Sequence, residues 1–214
     1  MHSKILIVFI AFTSIACNAD TGYVFNAKSN ELSFANSKAN FNPYPSIAAI
    51  PLPAGFKRLS TATNSFAEWL LHVKLKKDKT VYLYDGTPKI NQAAQFAVLD
   101  ISTGNKNLQQ CADAVMRLRA EYLFATQQFN DIIFYDNEHT AYPFTAPFTK
   151  DHLHQYLQTV FGMCGTASLA KQLHSVNIKD IQPGDVLIRG GFRGHAVMVM
   201  DMAEVFGVDE LKRW

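Results

Sequence analysis

Apolar side chains recur at Leu108, Cys111, Ala112, Val115, Leu118 and Tyr122, one stripe at helical spacing within residues 107–128. Asn107 with Gln110 reads as a capping box, Asn standing in for Ser or Thr. Asp113, Arg117 and Glu121 are spaced by four and are expected on the opposite face, pairing weakly. Residues 65–75 repeat the helical period at Phe66, Trp69, Leu70 and Val73, with Ser65 as the cap. Further helices are predicted around 151–161 and from Gly165 to Leu173. Strand-like runs lie at 80–86, 94–102 and 131–136, the first ending in an Asp-Gly turn. The last pattern, GDVLIRGGFRGHAVMVMD at 184–201, predicts a hairpin. Its turn is GGFRG at 190–194, which sets Arg189 opposite His195. Helices and strands interleave and several strand connections are short. The pattern therefore predicts α+β, a single domain of mixed helices with an antiparallel sheet, over residues 46–214.

Composition changes this picture little. Apolar residues make up 48% of the chain, charged residues 18%, and the net charge is +2, which describes a globular chain. The basic cluster KLKKDK at 74–79 is short and carries an acid, so it reads as a solvated turn and no nucleic-acid partner is expected.

The N-terminus changes the picture more. Met1–Lys4 carries a positive charge, and ILIVFIAF at 5–12 is too short to span a membrane but suits a signal peptide. Residues 1–19 are expected to be removed, by one of two routes. Cleavage before Cys17 would leave that cysteine as a lipidation site; Ala16 suits this, whereas Ser14 stands where a larger aliphatic residue is usual. Cleavage after Ala19 fits the small-residue rule equally. The lipoprotein route is preferred. Either places the chain outside the cytoplasm, in the periplasm or on a membrane through an N-terminal lipid anchor alone. Residues 20–45, rich in Asn, Ser, Ala and Lys, read as a flexible tether. Cys111 and Cys164 then remain, and an oxidising compartment would permit a bond between them.

Four stretches carry a family resemblance: VYLYDGTPKINQAAQFAVLDI at 81–101, LQQCADAVMRLRAEYLF at 108–124, GTASLAKQL at 165–173, and GDVLIRGGFRGHAVMVMDMA at 184–203. Together they resemble the bacterial envelope proteins known as domain of unknown function 4846. The resemblance implies an exported protein of unassigned activity. Members of that family run on past the hairpin into a further strand and a polar, aromatic segment. The ending EVFGVDELKRW at 204–214 does not resemble that continuation, so a truncated copy is expected after about Ala203. The hairpin is also similar to the histidine strand of NlpC/P60-type papain-like peptidases, over only the last 50 or so residues.

That second similarity implies a cysteine–histidine site. Cys164 precedes the Gly165 helix, whose N-terminal N–H groups would favour a thiolate. His195 opens the second hairpin strand and would act as base. No orienting residue is visible: Asp201 is six strand residues away, and Asp185 lies at the far end of the hairpin. Arg189 and Arg193 flank His195 and disfavour an imidazolium. The competing reading makes Cys164 a buried residue at a helix start. Thr166 and Ser168 are then helix caps, and with Arg189 and Arg193 they are candidate binding residues. His152 and His154 are two apart and fall on different helix faces, so no metal site is expected, and no cofactor.

Two function classes follow. One is a non-catalytic envelope binding or scaffolding module, using the groove between the Gly165 helix and the hairpin. The other is a papain-like hydrolase acting on cell-wall peptides, with Cys164 as nucleophile. The missing third residue favours the first, with a cell-wall peptide or an envelope protein as partner.

Overall fold

The chain is organised around its central helix, which has almost no solvated face. In the computed structural model, which describes residues 40–205 and the backbone of residues 4–7, this helix spans Cys111–Ala125 and buries ten of its fifteen residues. In chain order the elements are β1 (Lys4–Ile7), β2 (Phe56–Arg58), α1 (Phe66–Leu71), α2 (Cys111–Ala125) and β3 (Ile133–Tyr135). They continue with β4 (Ala141–Pro143), α3 (Lys150–Met163), α4 (Thr166–Gln172), β5 (Val186–Arg189), β6 (His195–Met198) and β7 (Asp201–Val205). Helices thus pack with three small antiparallel sheets, an α+β fold as the patterning predicts.

The expected hairpin is present. β5 and β6 pair from Val186↔Met198 to Arg189↔His195. Two residues later the same chain path becomes β7 and takes β2 as its partner, from Phe56↔Val205 to Arg58↔Ala203. Residues 4–7, inside the expected signal peptide, run antiparallel along the other edge of β7. Cys17, residues 20–39 of the expected tether, and residues 206–214 lie outside the described residues. The remainder of the tether, 40–45, belongs to the fold. Asn42 is buried, and its side-chain amide donates to the carbonyls of Tyr44 and Lys76 at 2.9 Å each.

Local chemistry accounts for the helix ends. Ser65 accepts from Glu68 N–H at 3.1 Å and starts α1, while Thr149 accepts from His152 N–H at 3.2 Å and starts α3. The start of α2 differs from expectation. Gln109 takes a left-handed φ of 68°, which breaks the helical path, so the N-cap is Gln110 and not Asn107. The Asp113 carboxylate accepts from Gln110 N–H at 2.7 Å. Asp113 therefore makes no pair with Arg117. Arg117 is buried and donates to Glu121 at 2.7 Å, to Gln109 Oε1 at 2.6 Å and to the Ser102 carbonyl. The face expected to be polar is inside because each charge on it has a fixed partner.

The strands expected at 80–86 and 94–102 form only isolated bridges, Tyr82↔Pro88 and Leu75↔Leu99. Glutamine side chains stand in for a neighbouring strand there. Gln92 accepts from Val81 N–H at 3.0 Å and donates to Val81 C=O at 2.9 Å, and Gln95 donates to Lys79 C=O at 2.8 Å. These bonds serve residues 79–81; the second stretch instead meets residues 74–76, where Val98 C=O accepts from Lys76 N–H and Asp100 N–H donates to Lys74 C=O at 2.8 Å each.

The main core gathers Val115, Met116 and Leu118 of α2, Leu153 and Leu157 of α3, Leu169 of α4, and Ala196 and Met198 of β6. A smaller cluster, Ile181, Val199 and Met202, lies apart from it. Among the described residues every buried side-chain N or O atom has a hydrogen-bond partner. No described helix is long and apolar enough to cross a membrane.

Candidate functional site

The first turn of α4, after the loop from α3, packs against the hairpin turn through Thr166. Cys164 ends α3, its N–H donating to Val160 C=O at 2.7 Å. Gly165 is the N-cap of α4. Ser168 caps this start as expected: its hydroxyl accepts from Gly165 N–H at 3.0 Å and donates back to Gly165 C=O at 3.2 Å. Thr166 has another task. Its Oγ1 donates to Gly191 C=O at 2.7 Å and so holds the turn onto α4. Gly194 must be glycine for that contact, because a Cβ there would collide with Thr166 Oγ1 and the carbonyls of Arg189 and Gly191. Arg189 donates to Arg193 C=O at 3.0 Å across the turn, and Phe192 at its tip is 96% exposed.

Cys164 and His195 are not brought to one face. Along β6, Ala196 and Met198 are buried in the core that also holds Cys164. His195 alternates with Ala196, is exposed, and stands opposite Arg189 on the outer face of the hairpin. The thiol also shifts in the direction opposite to a helix-start thiolate. Burial pushes Cys164 up to about 11, the charges of Asp136 and Asp113 add to this, and a hydrogen bond with Ser168 offsets a part. A thiol at about 11 is protonated at neutral pH. Asp201, considered as an orienting group, is 1% exposed and bound to Arg58, with Nε to Oδ2 at 2.9 Å. His152 is occupied too, its Nδ1 lying 2.8 Å from Pro147 C=O. Among the described residues no group of His, Cys, Asp and Glu could hold a metal ion.

The concave feature of this region lies on the inner face of the hairpin. A cavity of about 480 Å³ opens between α2, β3, α4 and the β5–β6 hairpin. That size falls in the range of small-molecule sites. Its walls include Val115 and Met116 of α2, Leu169 and Leu173 of α4, Val186 of β5 and Met198 of β6. Gln172 links α4 to β3, donating to Tyr135 C=O at 2.9 Å and accepting from Tyr135 N–H at 3.1 Å. Gly184 lets Phe66 close one side: at φ +100°, a Cβ there would lie 3.0 Å from Phe66 Cδ1.

Arg119, exposed on α2, adds a cation to this mostly apolar lining. Its guanidinium carbon sits 5.4 Å from the ring centroids of both Phe66 and Tyr122. Sequence reasoning passed over Arg119. The available signal was its spacing, four residues after Val115 and three before Tyr122, which puts a cation on the apolar stripe. The cavity itself carried no such signal, since segments near 115, 134, 170 and 186 meet only in the fold.

No curated protein and no solved structure shows a significant match to the chain. One family profile does match, described as domain of unknown function (4846), over residues 47–148 and again over 136–210. These two matches cover most of the 214 residues, and the chain belongs to that family.

Proposed function

We propose that the chain is a non-catalytic binding module of the bacterial cell envelope, exported by its N-terminal signal, and that its ligand occupies the cavity between α2, α4 and the hairpin. The observation that carries this reading is the cavity, at about 480 Å³ with preformed apolar walls on four elements. Burying an apolar ligand there removes its surface and that of the walls from water together. Cys164 and His195 are not among its walls. Cys164 is buried with its thiol pushed up to about 11, and His195 faces solvent on the other side of its strand. The alternative, a papain-like hydrolase built on that pair, would require both to move.

The test is titration with Nile red, a neutral apolar dye whose emission rises in apolar surroundings. The wild-type chain should bind one dye per molecule. Leu173→Trp should weaken binding by roughly tenfold, a loss of about 1.4 kcal/mol. Leu173 is 37% exposed at the end of α4, so the larger ring can fill the opening without entering the core. Equal binding by the variant, or no binding by either protein, sinks the reading.

A further inference from the structure

We infer that the ligand of this cavity is an acyl chain ending in a carboxylate, its tail among the apolar walls and its head on Arg119. The inference rests on the cavity being the ligand site, as proposed above.

The first support is the state of Arg119. Arg58 and Arg117 each have a carboxylate, Asp201 at 2.9 Å and Glu121 at 2.7 Å. Arg119 has no ion pair among the described residues, and no Asp or Glu lines the cavity. Arg119 is exposed at the rim, and its planar group lies over Phe66 and Tyr122 at 5.4 Å from each ring. A guanidinium resting against these rings without a counter-charge presents its fork of donors to a carboxylate.

The second support is the shortage of free polar groups beyond Arg119. Gln172 and the Tyr135 hydroxyl are the other polar side-chain groups of the lining, and the Gln172 amide is committed to Tyr135 N–H, Tyr135 C=O and Ser168 C=O. A peptide drawn into the cavity would leave most of its own amides without partners, which disfavours its burial there. A saturated chain has no such groups. Charge and polarity therefore select one anionic head at the Arg119 end and an apolar tail.

The experiment compares decanoate with decanol, each below its micelle concentration, by competition against Nile red at pH 8. Decanoate should displace the dye about tenfold more effectively than decanol, the scale of one charge-assisted pair. Arg119→Gln should remove that advantage, so that acid and alcohol displace the dye equally. Equal displacement by acid and alcohol overturns the carboxylate assignment while leaving the cavity as a ligand site. So does an advantage that survives in Arg119→Gln. Dye binding with displacement by neither compound overturns the acyl assignment alone. Absence of dye binding overturns both readings.

Discussion

Asp201→Ala is expected to lower the unfolding free energy by about 3 kcal/mol, the scale of breaking a buried ion pair by removing one partner. Asp201 is 1% exposed and begins β7. Its two oxygens lie 3.1 and 2.9 Å from Arg58 Nε, and Oδ1 also accepts from Met202 N–H at 2.8 Å. The other Arg58 nitrogens donate to the carbonyls of Ala48 and Ile50 at 3.2 Å each. One pair thus ties β2, β7 and the entry segment together. Burial raises the Asp201 carboxyl above its ordinary range, and the hydrogen bond and charge of Arg58 offset this. Without the carboxylate, a mostly buried guanidinium keeps two neutral acceptors and no counter-charge. Lys57→Ala provides the control. Its pair with Glu204, at 3.3 Å, lies on the surface with the lysine 53% exposed, and its loss should cost less than about 1 kcal/mol. Urea denaturation measures both. Equal midpoints for Asp201→Ala and Lys57→Ala would refute the assignment.

The second large effect is on the pH dependence of stability. Burial pushes Asp113 up to about 6, although the N–H groups of Gln110 and Gln109 pull it down. The unfolded carboxyl titrates near 4. The folded state therefore holds the proton more tightly. Below about pH 4 the group is protonated in both states. As pH rises from about 4 to 6 the unfolded chain releases its proton first, and folding loses stability, about 3 kcal/mol in total. Asp113→Asn removes this titration and keeps an oxygen for Gln110 N–H. Wild-type stability minus that of the variant should fall across pH 4–6 and level off above 7. Parallel curves would show that Asp113 ionises in the native chain as easily as in the unfolded one.

The sequence carried more of the fold than of the site. Helices announced by a hydroxyl cap and a period of 3.6 are present: Ser65 before α1 and Ser168 within the first turn of α4. The hairpin followed from alternation around a glycine-rich turn, with Arg189 opposite His195 in the register. The strand at 80–86 failed because Gln92 and Gln95 satisfy the extended backbone of 79–81, and side-chain substitution for a ladder leaves no periodic trace; the one at 94–102 bonds residues 74–76 through a single bridge. The polar face of α2 failed for a related reason. Spacing shows that Asp113 and Arg117 share a face, but whether that face meets water depends on partners as distant as Ser102 and Gln110.

The site was half legible. The groove between the Gly165 helix and the hairpin was expected, and a cavity lies there. The residues named for it have other contacts in the fold. Thr166 serves the turn, Ser168 the helix start, and His195 the outer face. Alternation alone separates His195 from Ala196, but which of the two faces the core depends on α2 packing beneath β6.

The most direct test of the central claim is a methyl chemical-shift map recorded while decanoate is added to the full chain. The methyl groups of Val115, Met116, Leu169, Leu173, Val186 and Met198 surround the cavity and should shift together along one saturating curve. Val176 and Ile178, exposed and outside its lining, should stay in place. Shifts confined to exposed methyls, with the cavity methyls unmoved at saturation, would contradict the account.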